Sequence, residues 1–363
     1  MQGGEHDVAD RATRTYQAVH AIGPGQLALT RKPLVDPGPG QVRIRVQACG
    51  VCHSDSATVE GDFPITWPRV PGHEAVGVID MLGAGVLGWA VGQRVGVGFL
   101  GGSCGRCVHC RGGDLVNCAN QEFTGIQSDG GYAEMLIARA SGLVSVPDSL
   151  SAVAAAPLLC AGLTTFGALR NAPARAGDLV AILGIGGLGH LGVQYARRMG
   201  FEVVAIGRGL ASRDLALTLG AHHYVDSAAE DIGQALQALG GAALVVVTAS
   251  GGRTASQALK GLRPRGRVIV LGASPEPVEA STSDLLFGGR SVQGALTGDP
   301  ATGDATLRFS LLAGVEAMVE TMPLERAAEA YARMMAGKAR FRLVLTMGTD
   351  DRPPGVAGTG AQA

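Results

Sequence analysis

The sequence predicts an α/β protein in two parts, a β-rich region and a doubly wound domain with a parallel sheet. Three observations carry this. From residue 17 to about 148, short β-branched runs alternate with Gly/Pro turns. From about 151 onward, near-continuous apolar runs alternate with amphipathic helices, the pattern of parallel strands covered on both faces. A glycine-rich turn, Gly184-Ile185-Gly186-Gly187-Leu188-Gly189, joins the first of those apolar runs to a helix.

A chain of 363 residues has the length of two domains. Hydrophobic residues make up 46% and charged residues 17%, enough apolar material for two cores. The 30 basic and 31 acidic residues leave a net charge of −1, which attracts neither nucleic acid nor an anionic membrane. Glycine, at 56 residues, has about twice its usual share of about 7%. That excess implies tight turns and close backbone approaches. No uninterrupted apolar run of 18 residues and no signal peptide is seen, so a cytoplasmic location is expected. In that reducing setting the seven cysteines read as metal ligands or buried thiols, not disulfides.

In chain order, strands are expected at 41–48, 75–82 and 94–98, punctuated by Pro-Gly pairs at 37–38, 39–40 and 71–72. Apolar strands follow at 179–183, 203–206, 243–248, 266–271 and 291–295. Helices fall between them at 188–199, 212–219, 232–239 and 254–262. Residues 301–347 add helices and a last strand at 341–346. The expected division is a β-rich domain at 17–155, completed by 297–347, around a doubly wound domain at 156–296. Residues 1–16 and 349–363 lack periodicity and are expected to be disordered tails.

Two cysteine-containing groups carry metal chemistry. Cys52 and His73 offer the thiolate and imidazole that zinc prefers. Cys160, outside any cluster, could add a third ligand and leave a fourth position open for chemistry. Separately, Cys104, Cys107, Cys110 and Cys118 stand within fifteen residues, among glycines, and can surround one zinc with sulfur. A site with four filled positions has no room for substrate, so that ion would be structural and His109 a bystander.

The turn at 184–189 opens a helix after a strand. Gly184, Gly186, Gly187, Leu188 and Gly189 would let the backbone approach a pyrophosphate seated at the helix N-terminus. A carboxylate at the end of the next strand would favour a ribose hydroxyl, but the chain reads Ile206-Gly207-Arg208-Gly209, with Arg213 close behind. Guanidinium pairs well with a 2′-phosphate, so NADP is preferred and NAD remains possible.

Together these motifs resemble a zinc-dependent alcohol dehydrogenase of the medium-chain dehydrogenase/reductase superfamily, near its cinnamyl-alcohol-dehydrogenase-like branch. The resemblance covers about 17–347. It rests on Cys-x-x-Cys-His-Ser-Asp at 49–55, Pro-Gly-His-Glu at 71–74, the four-cysteine lobe, Gly-Gly-Tyr-Ala-Glu at 130–134, Cys-Ala-Gly-Leu-Thr at 160–164 and the glycine turn. It implies a GroES-like β-rich domain beside a Rossmann domain, two zincs per chain and a homodimer or homotetramer. It also implies that Cys52, His73 and Cys160 hold the catalytic zinc, with Glu74 as an exchangeable neighbour and Cys49 as a buried thiol. Asp55 would bond the far nitrogen of His73 and fix its tautomer. His53 and Arg342 would face the cofactor pyrophosphate, and Thr164 the nicotinamide.

The implied reaction interconverts a primary alcohol and its aldehyde by hydride transfer to or from NADP(H), with Ser54 taking the alcohol proton. Relatives often carry a relay histidine where this chain has Ala57, so the proton route beyond Ser54 departs from their pattern. Phe63, Trp67, Phe99 and Leu100 flank the ligand motifs and could line an apolar pocket for a small-molecule alcohol or aldehyde. His190, His222 and His223 read as structural. Two alternatives compete: a zinc-free quinone or enoyl reductase on the same fold, and a non-catalytic nucleotide-binding zinc protein.

Overall fold

The computed structural model describes residues 14–348. They divide into two compact units. The first runs to Cys160 and includes Asp299–Arg308 and the residues from Met318 on; the second is Ala161–Gly298 with Phe309–Ala317.

In the first unit, β1 (Thr15–Gly23) and β2 (Gln26–Pro33) form an antiparallel pair. It is followed by β3 (Gln41–Val51), β4 (Ala75–Leu82), β5 (Arg94–Val97), β6 (Met135–Arg139) and β7 (Leu143–Ser145). The second unit contributes β8 (Leu179–Leu183), β9 (Glu202–Gly207), β10 (His223–Asp226), β11 (Ala242–Val247), β12 (Leu262–Val270) and β13 (Ser291–Gly294). The chain then returns to the first unit with β14 (Val319–Pro323) and β15 (Arg342–Thr346).

The sheet of the first unit has the order β14-β15-β3-β4-β5-β7, with β6 also paired to β3. Its core is lined by Val42, Ile44, Val46, Ile79, Val95, Leu136 and Leu343, all buried. The strand expected at 41–48 continues to Val51, because β15 pairs Leu345 with Cys49, Val344 with Gly50 and Leu343 with Val51. That extension carries a rigid strand up to Cys52. The expected tail 1–16 is corrected at its end: Thr15 and Tyr16 pair with Pro33 and Lys32. The rest of the expected tails, 1–13 and 349–363, lies outside the described residues.

The second sheet runs β10-β9-β8-β11-β12-β13 and is parallel throughout. This is the doubly wound order, and it reverses between β8 and β11. The ends of the helices Gly189–Arg198, Arg213–Thr218, Ile232–Ala238 and Gly252–Lys260 fall within two residues of expectation. β10 was not among the expected strands. It is a short His-Tyr-Val-Asp edge with one buried residue, too polar to carry an apolar strand pattern.

The stretch 309–317 was expected with the β-rich domain, but it packs in the second unit. Phe309 lies 5.3 Å from the Phe166 ring and 6.1 Å from Tyr195, and Ser310 shares a 2.8 Å hydrogen bond with the Tyr195 hydroxyl. This aromatic cluster fixes the end of the helix Pro300–Ala313.

Gly77 lets β4 lie close to β3, since a Cβ there would stand 2.2 Å from the Arg45 carbonyl oxygen. Gly77→Ala is expected to cost about 1–3 kcal/mol through overpacking. Urea unfolding checks this, and an unchanged midpoint would refute it.

Candidate active site

The end of β3 and the turn after it build one corner of the site. Cys52 leaves the strand in extended conformation and begins a short 3-10 turn, His53–Asp55. His53 and Ser54 are exposed on that turn, and Asp55 points inward, 2% exposed. His73 and Glu74 enter just before β4. Gly72 before them has a φ of 98°, where glycine alone is relaxed, and a Cβ there would meet the Tyr132 ring at 2.4 Å. Gly50 leaves room for Glu74, whose Oε2 would stand 1.8 Å from an added Cβ.

Ligand atoms of Cys52, His73, Glu74 and Cys160 all lie within 4.8 Å of one another, so the set could hold a metal ion. The Cys52 and Cys160 sulfurs are 3.8 Å apart. Two sulfurs each about 2.3 Å from one tetrahedral ion would stand about 3.8 Å apart as well. His73 Nδ1 donates to Asp55 Oδ1 at 2.9 Å, whereas its Nε2 is buried without a partner. A buried ring nitrogen left bare is costly unless something completes it, and a cation would. This donor set fits zinc.

The charges in the corner are coupled. The hydrogen bond from Cys160 draws the Cys52 thiol well below its ordinary value against the cost of burial, with His73 and Arg342 assisting. The same bond pushes Cys160 up. Burial opposes a charge on His73, yet Asp55 and Cys52 raise its pKa well above the ordinary imidazole value. Burial pushes Glu74 up to about 7, with Arg342 pulling the other way. Arg342 forms a buried ion pair with Glu74 Oε1, and Glu74 Oε2 has no partner. Burial works against the Arg342 charge, but Glu74 and the two thiols hold it in place. Within its own unit, Arg342 therefore faces Glu74.

Tyr132 completes the set, and sequence reasoning had given it no task. Its hydroxyl donates to Asp55 Oδ2 at 2.8 Å, and the Cys52 amide donates to the same oxygen at 2.9 Å. Burial, with Asp55 beside it, pushes the Tyr132 hydroxyl well above its usual range, so it keeps its proton. The available signal was the Gly-Gly-Tyr-Ala-Glu motif itself. Cys49, fully buried, stays a thiol because burial raises its pKa. Ala57 is buried, and Phe99 packs edge-on to the His73 ring at 5.0 Å. Leu100 is buried core, Trp67 donates to the Thr58 carbonyl, and Phe63 is exposed.

The sulfurs of Cys104, Cys107, Cys110 and Cys118 also gather within 4.8 Å. Backbone and amide donors point at them: Cys104 N–H to Cys118 Sγ at 3.3 Å, Cys110 N–H to Cys107 Sγ at 3.5 Å and Asn120 Nδ2 to Cys104 Sγ at 3.4 Å. Hydrogen bonds from Arg106 and Asn120 lead in drawing the Cys104 thiol down to about 5, which favours the thiolate a metal needs. His109 lies outside the four-sulfur group.

In the second unit, Gly184 follows β8 with φ 95°, and Leu188 is the N-cap of the helix Gly189–Arg198. A Cβ on Gly189 would lie 1.7 Å from the Gly184 carbonyl oxygen, whereas one on Gly186 would meet nothing within 4 Å. Gly189 is thus required by the turn, and Gly186 leaves open space where a phosphate could approach. The buried ring of His190 bonds to the Gly186 carbonyl at 3.0 Å, so this histidine serves the turn. Arg208 and Arg213 are exposed beyond β9. The end of β9 carries no carboxylate, but β10 ends beside the loop in Asp226. Its Oδ1 is occupied by the amides of Gly209 and Ala228. Thr164 is buried in the helix Ala161–Arg170. His222 and His223 bond locally, to the Val203 amide and to Glu202.

The chain is similar to known proteins over most of its length. The alcohol dehydrogenase GroES-like domain family matches residues 38–148, and the zinc-binding dehydrogenase family matches 187–312. Alcohol dehydrogenase notN from an Aspergillus species is 43% identical over 321 residues, 88% of this chain and 94% of that protein. A cinnamyl alcohol dehydrogenase structure from Sorghum bicolor superimposes with a TM-score of 0.84 at 31% identity, covering 92% of this chain and 98% of the other. A Helicobacter pylori CAD structure complexed with NADP(H) gives a TM-score of 0.81 at 26% identity, covering 92% and 98%. The chain therefore belongs to the zinc-type alcohol dehydrogenases of the medium-chain dehydrogenase/reductase superfamily, on their cinnamyl-alcohol-dehydrogenase-like branch.

Proposed function

We propose that the chain interconverts a primary alcohol and its aldehyde with NADP(H), using one zinc held by Cys52, His73 and Cys160 and a second held by the four-cysteine lobe. The observation that carries the reading is the bare, buried His73 Nε2 converging on two sulfurs 3.8 Å apart. When bound, zinc supplies a Lewis acid that acidifies an alcohol or polarises a carbonyl, and the dinucleotide supplies hydride exchange.

The chain's own residues do the rest. Asp55 holds the His73 ring so that Nε2 is the free nitrogen. Glu74, tied to Arg342 through one oxygen, keeps its other oxygen in reserve as an exchangeable ligand. Ser54 accepts the alcohol proton from its exposed place on the turn. Ala57 is buried and offers no group for a relay, so the proton leaves from Ser54 to solvent. Phe99, against the His73 ring, favours an apolar or aromatic substrate beside the ligand set.

In the second unit, Gly184, Gly186, Gly187, Leu188 and Gly189 cradle the pyrophosphate, with Thr164 toward the nicotinamide. Arg208 and Arg213 receive the 2′-phosphate. One Asp226 oxygen accepts from the amides of Gly209 and Ala228 and serves the turn.

Cys160→Ser is expected to lose one of two zincs and nearly all turnover, whereas Cys107→Ser loses the other zinc and chiefly lowers the melting temperature. Metal analysis with NADPH oxidation over an aldehyde panel decides it, and parental turnover in Cys160→Ser would sink the assignment. Arg208→Ala should lower kcat/KM for NADPH about tenfold or more while sparing NADH, as expected for a lost charged hydrogen bond of about 1.5–3 kcal/mol. Equal losses with both cofactors would remove the NADP preference.

A further inference from the structure

We infer that Tyr132 is a positioning residue of the metal centre: its hydroxyl fixes Asp55, and through Asp55 the ring of His73. The inference rests on the proposed ligand role of Cys52, His73 and Cys160. It extends that role to Gly130-Gly131-Tyr132, which the proposed chemistry leaves unused.

Asp55 has no exposed face and every bond counts. One carboxylate oxygen accepts from His73 Nδ1. The other accepts from the Cys52 amide at 2.9 Å and the Tyr132 hydroxyl at 2.8 Å. The amide belongs to the same turn and moves with it. Tyr132 comes from 77 residues away and ties the carboxylate to a different part of the fold. With two donors on one oxygen, the carboxylate resists rotation, and the remaining oxygen stays aimed at His73.

Tyr132 is itself clamped. Its N–H donates to the Pro71 carbonyl at 3.0 Å, and its carbonyl accepts from Val19 N–H at 2.8 Å. Gly130 N–H donates to Val70 at 2.7 Å and Gly131 N–H to Gly72 at 2.8 Å. The segment that presents the hydroxyl thus also grips the backbone leading into His73. The fit depends on missing side chains: a Cβ on Gly130 would stand 2.1 Å from the Gly72 carbonyl oxygen, and one on Gly131 2.7 Å from Cys49 Sγ. The tyrosine ring is fully buried and belongs to neither ligand group. It acts through Asp55.

The test follows zinc leaving the fully loaded protein into a chromophoric chelator, for the parent, Tyr132→Phe, Asp55→Asn, the double variant and Tyr195→Phe. The last removes another buried tyrosine hydroxyl, one bonded to Ser310 in the second unit. Tyr132→Phe keeps the ring and is expected to release one zinc about ten- to a hundredfold faster while the other leaves at the parental rate. With cobalt in the His73 site, its visible spectrum should shift in Tyr132→Phe and stay parental in Tyr195→Phe. In the Asp55→Asn background, Tyr132→Phe should add no further acceleration, since both act along one path. Parental release and a parental cobalt spectrum in Tyr132→Phe would overturn the inference, as would independent, multiplying effects in the double variant. If Cys160→Ser keeps both zincs, the ligand assignment itself falls and takes this inference with it; loss of one zinc there with a silent Tyr132→Phe removes the Tyr132 role alone.

Discussion

A single buried carboxylate, Asp55, governs the geometry of the candidate site. It accepts hydrogen bonds from His73 Nδ1, the Cys52 amide and the Tyr132 hydroxyl, which come from three separate stretches of chain. An imidazole has two nitrogens, and engaging one decides what the other can do. Here the second is left bare, buried and facing two sulfurs. Without Asp55, the same residues would form a polar cluster whose histidine could turn either way.

That bond is possible because the sheet brings distant residues to one place. β15 pairs with the end of β3 and straightens the chain into Cys52, and it also starts with Arg342, the partner of Glu74. Glycines at 50, 72, 130 and 131 permit approaches that any side chain would block. Part of the high glycine content is thus accounted for by the fitting of these segments around His73, and part by the turn at 184–189.

The two sulfur-rich groups differ in what they leave available. The lobe offers four sulfurs, some already met by amide donors, and it closes on itself. The other group offers two sulfurs, a ring nitrogen and a carboxylate paired with a buried guanidinium. The first is suited to holding shape. The second, with its mixed donors, is suited to chemistry on a small alcohol or aldehyde.

Much of this was legible in the sequence. Apolar runs and the glycine turn marked the doubly wound sheet, because buried parallel strands must be apolar and a tight strand-to-helix turn needs glycine where its backbone closes on itself. Cysteine spacing marked the lobe, since its four sulfurs lie in one short segment. The short, polar β10 was not legible, nor was the placement of 309–317, which depends on Phe309 meeting Phe166 and Tyr195. Residue types and local spacing thus fixed the family, the ligand candidates and the α/β class. The resemblance already implied the bond between Asp55 and His73; only the tertiary structure decided that Arg342 pairs with Glu74 and that Tyr132 reaches Asp55 across 77 residues. Those contacts join segments far apart in the chain, and they exist only once the strands have paired.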